Sequence, residues 1–437
     1  MGDTQRSQTI STKLRQIAKQ ARENPERVFT SLAHLIDVEL LHESFKRTRK
    51  DVAAGVDGVT AEEYSRDLDV NITDLHDRMR SQRYKATPVK RSWIAKDDGS
   101  ERPIGMPIFE DKIAQRAVTL LMSAIYEQDF YDFSYGFREG RSPHQAIKAL
   151  REQCYKENTR WIIDADISKF FDTLDHGILR EFIKKRVNDG GLLRLIGKWM
   201  NAGVLDGNAL SYPHQGTPQG SVISPLLANI FLHYVLDEWY VKEIKPRLKG
   251  RSFLIRFADD FIIGCELEED ARRIMAVLPK RFNRFKLTIH PEKSRLIDFR
   301  SPDRRPKRSL NHHTFDFLGF THYWGYSRNM NWVIKRKTSS KRLRRFVKAL
   351  WKWCHDNRHW NLPEQYRIIS SKLRGHYQYY GIRGNYKMLE VIYENARKTW
   401  KHWLGRRSRD GFISWEEFDD KISKPFPLPM PRIVHTI

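Results

Sequence analysis

Ile255-Arg256-Phe257-Ala258-Asp259-Asp260-Phe261-Ile262-Ile263 sets two adjacent acids between apolar runs, Phe253 to Phe257 before them and Phe261 to Ile263 after. The spacing predicts a tight β-hairpin with charge at its turn. Two carboxylates at the tip of an apolar hairpin are unfavourable unless a cation compensates them. A lone Asp-Asp is more often a polar turn than a site. The surrounding chain decides between the two.

Upstream, Trp161-Ile162-Ile163-Asp164-Ala165-Asp166-Ile167-Ser168-Lys169-Phe170-Phe171-Asp172 opens as an apolar strand. Asp164 and Asp166, two residues apart, fall on one face of it; the alternative is a strand end whose acid caps the next helix. His214-Gln215-Gly216-Thr217-Pro218-Gln219-Gly220-Ser221-Val222-Ile223-Ser224-Pro225 then runs into a helix bearing Leu226, Leu227, Ile230, Phe231, Tyr234 and Val235. Its glycines let another backbone approach and its prolines fix the loop. A structural turn rarely needs so much Gly, Pro and small polar character, which favours function here.

Around Asp97-Asp98-Gly99 a hairpin is expected, with Lys96 and Arg102 on its arms. Opposed cations beside a Gly turn can grip a triphosphate; an exposed, salt-bridged hairpin is the plainer reading. Ile113, Ala117, Leu120, Leu121 and Ala124 mark one helix face, and Ser134-Tyr135-Gly136-Phe137-Arg138 a compact aromatic turn with a basic exit. Beyond the Asp-Asp hairpin a helix is expected from Glu269 to Phe285. Strands at Leu287–Ile289 and Leu296–Phe299 flank Glu292-Lys293-Ser294, and Phe315–Phe320 gives another strand and turn. Helix–strand alternation with acids at strand ends fits an α+β core with an antiparallel sheet.

The 437 residues suffice for two or three domains, and 78 Lys+Arg against 54 Asp+Glu leave +24. Such self-repulsion is usually compensated by a polyanion, most often nucleic acid. Cys154, Cys265 and Cys354 form neither a disulfide framework nor a zinc spacing, as suits a reducing compartment. No run of 18 apolar residues and no signal or transit pattern is present, so a soluble protein of the bacterial cytoplasm, without membrane contact, is expected. Residues 1–85 read as helical and basic, with Leu32, Leu35, Val38 and Leu41 at helical spacing. They are either a helical support packed on the residues after them or an RNA-binding arm carrying Lys13, Arg15, Lys19 and Arg22. Residues 301–437 hold 29 Lys+Arg against 11 Asp+Glu, so +18 of the charge lies there, with eight of the twelve tryptophans. Leu343, Phe346, Val347, Leu350 and Cys354 form one helical stripe, opposite Lys341, Arg342, Arg344, Arg345 and Lys348; Leu389, Ile392, Tyr393, Ala396, Trp400 and Trp403 form another. A small bundle with a basic face toward a nucleic-acid backbone is the expectation. Pro425 to Pro431 reads as an extended tail, docked or mobile.

Carboxylates near Asp166 and at Asp259-Asp260, on neighbouring strand ends, suit a pair of magnesium ions completed by phosphate oxygens. No Gly-x-x-x-x-Gly-Lys-Ser/Thr loop is present, which disfavours a P-loop ATPase. A polyanion-binding chain with such a centre is a nucleic-acid polymerase or a nuclease.

Phe-Ala-Asp-Asp, the Asp166-to-Asp172 strand and Thr-Pro-Gln-Gly-Ser-x-x-Ser-Pro, in that combination, resemble a reverse transcriptase. Arg-Pro-Ile-Gly-Met-Pro after the Lys96…Arg102 hairpin, Ser-Tyr-Gly-Phe-Arg, Leu-Arg-Gly-His-Tyr-Gln-Tyr-Tyr-Gly and the closing Pro-Arg-Ile-Val-His are similar to the group II intron-encoded reverse transcriptase/maturase branch. The resemblance covers roughly residues 30–437 and implies a right-hand polymerase. Residues 1–85 would be a helical extension, 86–325 fingers and palm, 326–410 an all-helical thumb or maturase domain, and 411–437 a tail. It implies Asp166, Asp259 and Asp260 as the metal triad, with Ile167 lending only backbone. It makes Phe171 the gate against a ribose 2′-hydroxyl and sets Gln219 and Gly220 beside the incoming nucleotide. Lys96 and Arg102 become triphosphate contacts, and Lys293 the lysine that protonates pyrophosphate. Asp164 and Asp172 do not map to the triad and are given structural roles. RNA contacts are expected at Lys341, Arg342, Arg344, Arg345, Arg374 and Lys398. Phe257 stands where tyrosine is usual, with a modest effect expected on fidelity or rate. No Cys/His-rich cluster follows the thumb, so an endonuclease module is expected to be missing. The implied protein binds group II intron RNA, assists its splicing, and copies an RNA template from a DNA primer with dNTPs at a DNA target. The alternatives are the same polymerase domesticated for phage defence, spacer acquisition or DNA repair, and a non-catalytic RNA-binding splicing factor.

Overall fold

The helix Phe109–Tyr126 is wrapped by protein on nearly every side: Ile113, Ala114, Ala117, Val118, Met122 and Ile125 are all inaccessible. A helix buried on so many sides belongs at the centre of a domain, and the helices Asp3–Glu23 and Val38–Arg47 pack on this one. The computed structural model describes residues 3–95, 101–212, 215–217, 219–302, 313–408 and 411–437. These form two compact units. One comprises Met1–Ser142, Ile163–Ile263 and Leu267–Leu296; the other Pro143–Ile162, Gly264–Glu266 and Ile297–Ile437.

In the first unit the expected helical run through Leu32, Leu35, Val38 and Leu41 is broken. Ala33–Leu35 is a single 3-10 turn, and the Asp37 side chain caps Val38–Arg47 by accepting from the Leu40 N–H at 2.8 Å. A capping acid inside an apolar stripe outweighs the stripe's periodicity. The Asp3–Glu23 helix buries Ile10, Ile17 and Ala21, and its Lys13 is paired with Asp37 at 2.7 Å.

Among the described residues eleven strands make three sheets. The first joins β1 (Val89–Ala95), β2 (Glu101–Met106), β4 (Val204–Asp206) and β5 (Ala209–Ser211) in the order β2-β1-β4-β5. β1 and β2 are antiparallel, with Ile94 opposite Arg102. The second has β3 (Trp161–Ala165), β6 (Ser252–Phe257), β7 (Asp260–Cys265) and β8 (Arg295–Asp298) in the order β6-β7-β3-β8. β6 and β7 are buried along almost their entire length, which explains why both read as apolar runs rather than alternations.

The third sheet, β11-β10-β9, belongs to the second unit: β9 (Phe315–Phe317), β10 (Phe320–Tyr326) and β11 (Trp332–Thr338). The helices therefore begin only at Ser340, after β11 has buried Ile334, Arg336 and Thr338 at alternate positions. The bundle of Ser340–Asp356, Leu362–Tyr380 and Tyr386–Leu404 packs Leu350, Cys354, Leu373, Leu389, Ile392 and Trp400 together, the stripes expected from the sequence. An earlier segment, the helix Pro143–Lys156, contributes Ile147 to a small core with Phe320 and Ile382. The tail is docked: Leu428 enters the bundle core, the Val434 N–H donates to the Gly381 carbonyl at 2.6 Å, and His435 stacks on His144 at 3.8 Å. All three cysteines are buried and free. Among the described residues no helix is long and apolar enough to cross a membrane.

Candidate active site

The decisive stretch forms the hairpin expected of it, with Ala258 and Asp259 as the whole turn between β6 and β7. Ala258 has φ of 57°, in the left-handed region. A residue with a Cβ adopts that region at roughly 1–2 kcal/mol, so something must hold it. Arg256 does. Its side chain is wholly buried in β6, and its Nη1 donates to the Ala258 carbonyl at 3.1 Å and to Asn229 Oδ1 at 2.9 Å. Its Nε and Nη2 grip both oxygens of the equally buried Asp237. Asn229 completes the ring of contacts by donating to the Gly136 carbonyl at 2.7 Å. Gly136 is where the Ser134–Arg138 turn touches the hairpin: the Tyr135 N–H donates to the Arg256 carbonyl at 2.8 Å, and a Cβ at Gly136 would lie 2.2 Å from the Ala258 nitrogen. The basic exit of that turn points inward, with Arg138 buried against Glu127 and the carbonyls of Tyr131 and Ser134.

Asp166 follows β3 and is held by the 288–294 segment. Its carbonyl accepts from the His290 N–H at 2.8 Å, its N–H faces Ser294 Oγ at 3.3 Å, and Lys293 Nζ lies 3.3 Å from its carboxylate. Ile167 bridges Ile289. Burial, and then the charge of Asp166, push the Asp259 carboxyl above the usual carboxylate range; a backbone hydrogen bond and the charges of Arg102 and Arg256 pull the other way. Asp166, Asp259 and Arg102 are thus within electrostatic reach of one another. Asp164 is engaged by Arg295 at 3.2 Å and Asp172 by Gln219 at 3.2 Å, which suits the structural roles expected of both acids.

The donors here are all hard carboxylate and carbonyl oxygens, and two of the acids crowd each other without full compensation. That set fits a divalent magnesium ion, which takes few protein ligands and completes its shell with phosphate and water. Among the described residues no group of three or more His, Cys, Asp or Glu side chains encloses an ion by itself.

The loop after β5 is fastened at several points. Thr217 N–H donates to the Phe171 carbonyl at 2.7 Å, and Gly105 N–H to the Gln219 carbonyl at 2.6 Å. Gln115, on the central helix, accepts from Ser221 Oγ at 2.6 Å and from the Val222 N–H at 2.9 Å. Gly220 has φ of 110°, and a Cβ there would stand 2.6 Å from the Gly105 carbonyl. Phe171 lies two residues beyond Lys169, itself left-handed at 46°. With Gln219, Gly216, Pro103 and Trp199 it lines a cavity of about 190 Å³. Lys96 and the Asp97-Asp98-Gly99 turn lie outside the described residues, as do His214 and Pro218. Arg102 is exposed on β2. In the second unit Lys341, Arg342, Arg344, Arg345, Arg374 and Lys398 are all exposed.

The roles of Arg256, Asp237, Asn229, Gly136 and Gln115 escaped sequence reasoning, although Arg256 and Gly136 lie in stretches it singled out. The signal lay in the first three: a cation in an apolar strand, and two polar residues in an apolar helical run, each obliged to find a buried partner.

Residues 94–322 match the family described as reverse transcriptase (RNA-dependent DNA polymerase). The chain is 34% identical to protein YkfC of Escherichia coli over 58% of its own length and 75% of that protein. It is 34% identical to the group II intron-encoded protein LtrA of Lactococcus lactis over 55% of its length, spanning 40% of LtrA. A 91 kDa protein in the cob intron of Schizosaccharomyces pombe is 30% identical over 57% of the chain and 31% of its own length. A hairpin with acids at its tip, a second acid beside it, and a fitted loop between Phe171 and Gly105 thus lie within the matched segment, and the chain belongs to the reverse transcriptase (RNA-dependent DNA polymerase) family.

Proposed function

We propose that this RNA-directed DNA polymerase binds structured group II intron RNA, assists its splicing and copies it into DNA at a centre formed by Asp166, Asp259 and Asp260. The observation that carries the reading is the rigidly held Asp259 turn, whose carboxyl feels the charge of Asp166 while Lys293 pairs with that same acid. The three aspartates, with the Ile167 backbone, would hold two magnesium ions. Bound there, the ions supply an activated primer hydroxyl and a stabilised pyrophosphate leaving group. Arg102 and Lys96 neutralise the triphosphate as charge develops on it. Lys293 gives a proton to the departing pyrophosphate. Phe171 crowds the position of a 2′-hydroxyl, while Gln219 and Gly220 bound the nucleotide. Lys341, Arg342, Arg344, Arg345, Arg374 and Lys398 bind RNA phosphates. In this reading residues 86–325 serve as fingers and palm and 326–410 as thumb, with the bacterial cytoplasm as the setting.

Primer extension on an RNA template tests the centre. Asp259→Asn should lower the rate at least about a hundred-fold, and a normal rate would remove this site assignment. Sequencing the RNA that copurifies from the native host tests the intron part. One structured RNA containing the protein's own reading frame supports it, whereas a heterogeneous pool overturns it and leaves the polymerase standing.

A further inference from the structure

Trp351 stands on the helix Ser340–Asp356 with 43% of its surface exposed, although the bundle has a filled core next door. It meets rings from the helix Tyr386–Leu404: His402 at 4.8 Å, tilted 32° from parallel, and Trp403 at 5.2 Å, edge-on. His355, one turn further along the first helix, meets Trp403 at 4.6 Å. Four rings from two helices therefore make one cluster, in which Trp351, His355 and His402 are exposed and Trp403 is half-buried.

The cations around it are placed by helical spacing. Arg344 and Lys348 precede Trp351 by seven and three residues, and Lys398 precedes His402 by four, so each stripe runs from cations into rings. None of these three cations is engaged by a carboxylate among the described residues, whereas the nearby Asp356 is taken up by His355 and Lys352. The charges of Arg406 and Lys401 reach His402 and, after burial, hold its imidazole below the usual histidine range. A dry protein contact would favour apolar residues around such rings. Rings interleaved with unpaired cations fit a strand whose bases stack and whose phosphates are neutralised.

We propose that Trp351, His355, His402 and Trp403 form a stacking platform for unpaired bases of an RNA strand whose phosphates lie along Arg344, Lys348 and Lys398. The inference rests on the RNA-binding part of the proposed function and adds to it a preference for single strands, because the faces of paired bases are already covered within a duplex.

The test uses the full chain, with an unstructured oligoribonucleotide and an RNA duplex of equal length as probes, over a range of salt. Trp351→Ala should weaken single-strand binding about ten-fold, the scale of one lost base stack, and leave duplex binding unchanged. The slope of log affinity against log salt should stay the same, since no phosphate contact is removed. Trp351→Phe should keep most of the affinity, and Arg344→Gln with Lys348→Gln should flatten the slope on both probes. His402→Ala gives an independent reading should Trp351→Ala unfold. Equal loss on strand and duplex from the ring variants overturns the platform. No loss from either variant also overturns it, and leaves the face to a protein partner. A failure of the polymerase reading would show separately, as absent primer extension by the unsubstituted protein.

Discussion

Arg256 and Asp237 form an ion pair with no solvent exposure on either side chain, Nε to Oδ1 at 2.8 Å and Nη2 to Oδ2 at 2.5 Å. The same guanidinium donates to the Ala258 carbonyl, so a buried cation connects the helical run after Ser224 to the turn that carries Asp259. Arg256→Met should therefore destabilise the protein by about 3–5 kcal/mol, because it leaves Asp237 buried and alone. Adding Asp237→Leu should restore most of that loss, since an apolar pair of similar volume often replaces a buried ion pair without penalty. Primer extension should remain low in both, as the turn still lacks its donor. Melting curves run beside extension assays separate the two effects, and a double variant with normal extension would show that the turn holds itself.

Gly136→Ala should disturb the same turn from the other side. The added methyl would press on backbone, the Ala258 nitrogen at 2.2 Å and the Phe257 carbonyl carbon at 2.9 Å, so the turn has to move. A displacement approaching an ångström at a reacting centre lowers rates about a hundred-fold. Gly197→Ala, in a helix with nothing within 4 Å of the new Cβ, is the control. It should gain about 0.5–1 kcal/mol of stability from helix propensity and extend primers normally.

Phe171→Ala should admit ribonucleotides. The ring lines a small cavity with Gln219 and Gly216, and its own backbone is fastened to Thr217, so the side chain is removed while the loop stays put. Discrimination by an apolar contact is worth about 10–200-fold. Ribonucleotide incorporation relative to deoxyribonucleotide should rise within that range, and unchanged selectivity would end the gate assignment.

His322 gives the second unit an acid-sensitive core. It is fully buried and stacked on Phe315 at 4.9 Å, and burial, followed by the charge of Arg336, pulls its pKa down to about 3. In the unfolded chain it titrates near 6.5. As pH falls from there toward 3, the unfolded state takes up a proton that the folded state refuses, and stability is lost. At pH 5 the loss from this one group is about 2 kcal/mol. His322→Phe should keep the stack and narrow the gap between melting temperatures at pH 7 and pH 5. His233 and His376, held near 3 and 4, keep part of the slope. An unchanged gap would mean that His322 finds a proton partner in the fold.

The hairpin, the strand β3 and the bundle stripes were legible because each is a local pattern of apolar residues. What escaped was long-range and polar. Arg256, Arg138 and Arg336 are each buried, which no local pattern announces, because a cation's setting depends on partners that lie elsewhere in the chain. The helical stripe at Leu32–Leu41 misled for the opposite reason: one capping acid, Asp37, overruled four correctly spaced apolar residues. The helical region expected from residue 326 opens instead with β11, whose alternation was masked by Lys335, Arg336 and Lys337. Lys96 lies outside the described residues, so the grip it would form with Arg102 rests on the motif alone.

The small core of Ile147, Phe320 and Ile382 ties a helix from the first half of the chain to a strand that leaves the ribosome roughly 170 residues later. At about 5–20 residues per second, that helix waits on the order of ten to thirty seconds for its partner. Over that interval Ile147 lacks both of its core partners. The second unit therefore cannot fold in step with its synthesis, and a fragment starting at Ile297 would lack one wall of its own interior. Whatever slows elongation through residues 157–320 lengthens the exposure, so codon choice in that stretch is a lever on the yield of native protein.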